Sequence, residues 1–324
     1  MRKTVGFVLL GLAGFLVTAA VLTLVYVPGQ VRKTPLTIDS VTRLSGEATK
    51  LPTGEPGPVR AISHTVADGE ASTSDTVVFD TFSCLMRDVS GAPDCTKDTG
   101  EGSPLVTAGT DRFATDRVTA ESVDAATAEK LGAEVHEGVV NKWPFSPEQK
   151  TYKYWDGLLG RTVDATYAGG EDVDGLATYK YQVSIQDEPA EIASGVSGTY
   201  SDEKTLWVDK GTGSIVDQDE HQTRTLDDGT VVLDLRLGFT DDTVSASVED
   251  AKANNSQLGL VAAAPWVLGV LGLLALVGGA FLAFAGGRAR PVTATVTATT
   301  SRSRSCAAPV AEPARHPARL SPSR

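Results

Sequence analysis

The chain has 324 residues, 41% of them hydrophobic, and a formal net charge of −12. A negative field of that size repels nucleic acid and anionic headgroups at long range, which excludes nucleic-acid binding as a role. The charge is unevenly spread: Arg2 and Lys3 open the chain, and seven Arg against the single Glu312 follow residue 285. Removing these from the totals of 29 basic and 41 acidic residues leaves 20 basic and 40 acidic in the middle, a net −20.

The first predicted element is the uncharged apolar run Val5 to Val27. A helix needs about 20 such residues to cross a hydrocarbon core. The alternative is a cleaved signal peptide, with Val17-Thr18-Ala19 as its small-residue site. An h-region is usually only about 7–15 residues long, and this run continues through Val21, Leu22, Leu24, Val25 and Val27, which favours a retained anchor. Gly11 and Gly14 lie within it, but not at the GxxxG spacing of a helix-packing motif. A second such run spans about Leu258 to Ala285. Positive charge precedes the first run and, as Arg288, Arg290, Arg302 and Arg304, follows the second, so both termini are expected in the cytoplasm and the middle outside.

Candidate strands follow the first span at Leu36 to Leu44, Val59 to Ala67 and Thr76 to Met86, separated by stretches rich in Pro and Gly such as residues 51–58. Cys84 and Cys95 enclose a ten-residue loop containing Ser90-Gly91 and Ala92-Pro93, both turn formers. In an oxidising compartment a disulfide across it would contribute about 2–3 kcal/mol; two unpaired buried thiols are the alternative. Without a CxxC or HxxxH spacing no zinc site is expected. The next element is an Ala-rich helix from Ser122 to Leu131, opened by a capping Ser.

Residues 142–156 form the most distinctive run, with Trp143, Phe145, Tyr152, Tyr154 and Trp155 as five aromatics in a chain only 6% aromatic. Packing across a sheet is the favoured role. The other is a groove for an envelope lipid or glycan, in which these five residues would be the binding site. From Gly175 to Phe239 the pattern is an antiparallel meander. Tyr179, Tyr181, Val183 and Ile185 alternate with polar residues, as do Val231, Leu233, Leu235, Leu237 and Phe239, and Asp228-Gly229 supplies a tight turn. A helix from Thr243 to about Asn254 leads into the second span. The tail, 286–324, is rich in Ala, Thr, Ser, Pro and Arg, has no aromatic residue, and is expected to be a disordered basic cytoplasmic segment with Cys306 as a free thiol.

Two spans around a β-rich middle, the Trp143-Pro144-Phe145 run followed by Lys150-Thr151-Tyr152-Lys153-Tyr154-Trp155-Asp156, the strand Gly175 to Tyr181 and Leu206-Trp207-Val208-Asp209 resemble the actinobacterial PorA-like membrane proteins of unknown function. The resemblance covers roughly residues 1 to 287. It implies a membrane protein of the cell envelope, and the family label implies a porin. A transmembrane barrel, however, needs many alternating strands with a lipid-facing apolar band, whereas these strands are few, acidic and flanked by helical spans.

Motifs for catalysis are missing. Gly195-Val196-Ser197-Gly198-Thr199 fails the G-x-S-x-G elbow at its last residue, and His136-Glu137 is followed by Gly138-Val139-Val140 instead of completing H-E-x-x-H. The acidic runs 171–175 and 217–220 read as solvated turns, not calcium loops. The expectation is therefore a membrane-anchored α+β protein without catalytic residues, metal or cofactor. It comprises a cytoplasmic stub (1–4), a transmembrane helix (5–27), an antiparallel β-rich extracytoplasmic domain (28–257), a second transmembrane helix (258–285) and the tail (286–324). It would sit in the plasma membrane and act in binding or structure, with an enzyme of envelope lipid or glycan as the alternative and a porin or transporter as the least favoured.

Overall fold

The computed structural model describes residues 1–52 and 54–285. The tail and Cys306 lie outside the described residues. Helix α1 (Arg2–Val25) leads through the single turn α2 (Pro28–Val31), where proline occupies the first helical position, to a ten-stranded sheet. The strands are β1 (Asp39–Lys50), β2 (Gly57–Ala67), β3 (Thr76–Arg87), β4 (Leu105–Asp116), β5 (Tyr152–Asp156), β6 (Arg161–Val173), β7 (Leu176–Ala193), β8 (Val196–Asp209), β9 (Ile215–Leu226) and β10 (Val231–Phe239). Helix α3 (Ala125–Lys130) lies between β4 and β5, and helix α4 (Asp241–Phe284) follows β10.

Every neighbour in the sheet is antiparallel, and the spatial order is β4-β3-β2-β1-β10-β9-β8-β7-β6-β5. Two meanders therefore run outward from a central pair made of the first and last strands. The sheet curls, and the segment after β4 crosses from one outer strand toward the other: Phe113 on β4 bridges Glu134, and Tyr154 on β5 bridges Val139. The inner face holds most of the core. Tyr152, Ala165, Val183 and Leu237 share it, as do Ala48, Val59 and Leu85. At Gly46 the backbone of β1 comes so near the Arg236 carbonyl on β10 that no Cβ would fit.

Several elements differ from expectation. The first strand begins at Asp39 and runs on to Lys50, past the expected end at Leu44. Asp124, not Ser122, caps α3, accepting a hydrogen bond from the Thr127 N–H, while Ser122 bridges Thr115 on β4. The helix expected to end near Asn254 continues unbroken to Phe284. Thr240 caps it and Asp241 and Asp242 occupy its positive first turn. Its first half packs Val244, Val248 and Ala251 on Val216, Leu176 and Trp207 of the sheet.

The second half of α4 packs against α1. A Cβ at Gly279 would meet the Gly6 carbonyl and the Leu10 N–H at 3.0 Å, and one at Gly272 would meet Val17 and Leu16. Residues later in α4 thus face residues earlier in α1, so the two helices are antiparallel and residues 6 and 283 lie at one end. Gly6, Ala13, Gly272, Gly279 and Ala283 are buried in this contact, whereas Gly11 and Gly14 have nothing near them. The other faces are apolar and bare: Phe7, Phe15, Leu24, Leu274 and Phe281 are each more than half exposed.

Candidate functional site

The aromatic run is divided between core and periphery. Trp143 is completely buried, and it lies 5.0 Å from Tyr181 and 5.7 Å from Tyr154, ring centre to ring centre, in stacked arrangements. Tyr152 meets Trp143 and Tyr181 edge-on, and its hydroxyl oxygen accepts a hydrogen bond from the backbone N–H of Glu148 at 2.9 Å. The Trp143 N–H donates to the Gly213 carbonyl at 2.7 Å. Gly213 has φ +76°, and a side chain there would strike the carbonyls of Trp143 and Pro144. Phe145 is half-buried beneath the Lys142 ammonium, 3.9 Å from the ring centre, and burial lowers that lysine to about 8. Trp155 points the other way, against His136 at 4.3 Å. Of the five residues, Trp143 and Tyr152 are buried with neighbouring rings against them, as in packing across a sheet, and Trp155 lies apart from them beside His136.

Next to this core lies a set of charges that the sequence reading passed over. Asp202 on β8 is fully buried, and its carboxylate has only the Lys204 ammonium beside it, at 3.3 Å. Lys204 also stands 3.6 Å from Glu220 on β9, which accepts hydrogen bonds from Gln218 at 2.9 Å and Gln222 at 3.2 Å. The row continues as Arg224 donates to Gln222 at 2.9 Å and to the Ile192 carbonyl at 2.8 Å. Across from it the Tyr200 hydroxyl donates to the buried Asp156 at 3.2 Å. Burial pushes Asp202 up to about 7 against the opposing pull of Lys204, and burial likewise raises the Tyr154 and Tyr200 phenols. Withdrawing such charges from water costs free energy, and breaking one partner of the set would leave the other buried and uncompensated.

His136 is buried between Phe113 of β4 and Trp155 of β5, with Nε2 3.0 Å from Asp111. It joins the two ends of the sheet through the crossing segment. His64 and His221 are apart from it: His64 pairs with Asp39 at 2.7 Å and His221 with Asp234 at 2.9 Å, on different strands. Among the described residues no group of three or more His, Cys, Asp or Glu is placed to hold a metal ion. Cys84 and Cys95 form a disulfide, with Cα atoms 6.1 Å apart. The loop it closes lies on the outer face of β2, where Arg60 donates to the Ala92 carbonyl at 2.8 Å and the Pro93 carbonyl at 2.6 Å.

The sheet between two apolar terminal helices matches a family model described as "Porin PorA" over residues 5–281, which takes in most of both helices and every strand. The chain belongs to the PorA family. It is also similar to a protein named Porin PorA from Corynebacterium amycolatum, with 31% identity over 100 residues. That match covers 27% of this chain and 26% of the relative, so about a quarter of the relative's length is spanned. Among solved structures, an outer membrane lipoprotein-sorting protein domain from Vibrio parahaemolyticus aligns over 68% of this chain and 90% of its own, at 9% identity and a TM-score of 0.18. A likeness that slight carries no argument about fold or role.

Proposed function

We propose that this PorA-family chain is a cell-envelope protein held in the plasma membrane by both terminal helices, with its sheet domain outside and acting by binding, not catalysis. The observation that carries the reading is the antiparallel pair of α1 and α4. Their apolar faces are bare except where small residues bring the two backbones together. In water such surface would be a liability; in lipid, close packing of small residues is how helices associate. Because the helices are antiparallel, the basic residues Arg2 and Lys3 fall at the same end as the start of the Arg-containing tail, the arrangement that cytoplasmic termini favour.

The porin in the family's name fits the sheet poorly as a barrel in lipid. The outer face of β7 to β10 carries Gln182, Ser184, Glu203, Asp219, His221 and Arg236, with no apolar band for hydrocarbon. An interior of paired charges and stacked rings supports a binding or structural module instead, and its acidic surface favours basic partners.

Cysteine labelling in intact cells tests the topology, in a background with Cys306 replaced by Ser. An impermeant thiol reagent should reach a cysteine introduced at Asp68 or Asp228 and miss one at Ser303. Labelling at Ser303 would overturn the proposal.

A further inference from the structure

The two edges of the curled sheet are protected unequally. At one end, β5 is covered by Val139, whose N–H donates to the Lys153 carbonyl while its own carbonyl accepts from Trp155. Beyond β5 the free edge of β6 carries Glu171, Asp172 and a register shift at Tyr167 to Gly169, all of which discourage another strand. The edge of β4 is different. From Arg112 onward it is covered, since the Arg112 carbonyl accepts from the Glu134 N–H and that of Ala114 from Val123. Before Arg112 the strand reads Leu105-Val106-Thr107-Ala108-Gly109-Thr110, without charge or proline, and Thr107 to Thr110 are exposed. Outward-pointing backbone groups recur at every second residue, so Ala108 and Thr110 present their N–H and C=O groups along the open edge.

A cavity of about 320 Å³ adjoins this edge, lined by His64, Val66, Asp80, Phe82, Thr110 and Glu134 among others. Val66 and Phe82 give it an apolar side. Arg112, its cation, is already engaged by Asp80 at 2.6 Å and Asp68 at 2.7 Å, whereas Glu134 has no ion pair among the described residues. An apolar wall with an uncommitted carboxylate suits a long cationic side chain, whose stem packs and whose head pairs.

We infer that the open edge of β4 takes up an extended peptide strand of a basic partner, with a lysine or arginine side chain entering this cavity. Backbone hydrogen bonds at Ala108 and Thr110 would supply the pairing and the cavity the selectivity, the division seen wherever a peptide is added to a sheet. The net charge of −20 on the middle of the chain would draw in such a partner. This rests on reading the domain as a binding module, but affinity and membrane topology are measured separately, so either can fail alone.

The test uses the full-length protein in detergent and fluorescent eight-residue Val/Thr peptides with one central Lys, with Glu in its place, or with the Lys peptide N-methylated along one edge. The Lys peptide should bind at least about tenfold more tightly than the other two, since N-methylation removes the donors that the edge requires. Glu134→Lys should remove the preference for Lys over Glu, and Ala108→Pro should abolish binding of both. Glu171→Lys, on the protected edge, should change nothing. Equal affinity for the Lys and Glu peptides, or indifference to N-methylation in the unaltered protein, would overturn the inference. So would a self-associated protein that Ala108→Pro converts to monomer, because a second copy would then occupy the edge.

Discussion

The two arms of the sheet solve the same problem differently. In the arm from β5 to β8 the inner face is closed by stacked rings, with Trp143, Tyr152 and Tyr181 filling the space between strands and crossing segment. In the arm from β1 to β4 the middle of that face carries hydroxyls: Thr42, Ser63 and Ser83 lie in one row and Thr65 and Thr81 in the next, between separate apolar clusters toward the strand ends. That arm also bears the disulfide. Where burial of large side chains is dense, it suffices; where the middle of the sheet is polar, a covalent link that restricts the unfolded chain adds stability independent of packing.

The largest effect should come from the packed arm. Replacing Trp143 by Ala opens a cavity among rings that have no freedom to collapse, and should cost about 3–5 kcal/mol in a chemical denaturation series. A loss below about 1 kcal/mol would mean that the rings are not the main support of that arm.

The next test concerns the charges beside those rings. Burial raises Asp202 from 3.8 to about 7, so between these values the folded protein holds a proton that the unfolded chain releases. Its contribution is fully present below the unfolded pKa and is lost as pH rises through about 7, a change of order 2–4 kcal/mol at most. Melting temperature measured from pH 4 to pH 8 should therefore decline more steeply in the native protein than in Asp202→Asn, which cannot titrate. Identical slopes would remove Asp202 from the account.

In the polar arm, Cys84→Ser should cost about 2–3 kcal/mol, the loop-closure value for so short a loop. Hydrogen exchange should locate the loss in β2 and β3 and leave β7 and β8 protected. A uniform loss would erase the distinction between the arms. The smallest effect belongs to the segment joining them: Asp124→Ala removes the cap of α3 and should cost about 1 kcal/mol, read from the same denaturation series.

Much of this was legible where side chains alternate cleanly. Tyr179 to Ile185 and Val231 to Phe239 could be placed on strands with the correct inner residues because apolar and polar types alternate there, and the turn at Asp228-Gly229 and the link between Cys84 and Cys95 follow from local chemistry. The failures share a cause. Ser201-Asp202-Glu203-Lys204 is polar at every position, so periodicity gives no sign that Asp202 and Lys204 point inward, and the buried charges went unseen. In β4, Thr107 to Thr110 has no apolar face to reveal, and in β6 Gly169 and Gly170 interrupt the alternation. The aromatic run was conspicuous by composition, but composition does not distinguish a ring that meets a ligand from one that meets another ring.

The strand order has a mechanical side. Because β1 and β10 are both the ends of the domain's chain and neighbours at the centre of the sheet, α4 leaves from the central pair of strands, and it continues without a break for 44 residues, roughly 66 Å. Tension or tilt arriving along α4 enters through β10 and through the residues of β7, β8 and β9 beneath its first half, whereas load along α1 also reaches the outer margin, because Thr34 and Arg117, just past β4, hydrogen-bond to each other and Lys33 pairs with Asp75 before β3. The domain is held like a sign on two brackets, one at its centre and one at a margin, so it turns with the helical stem as a single plate.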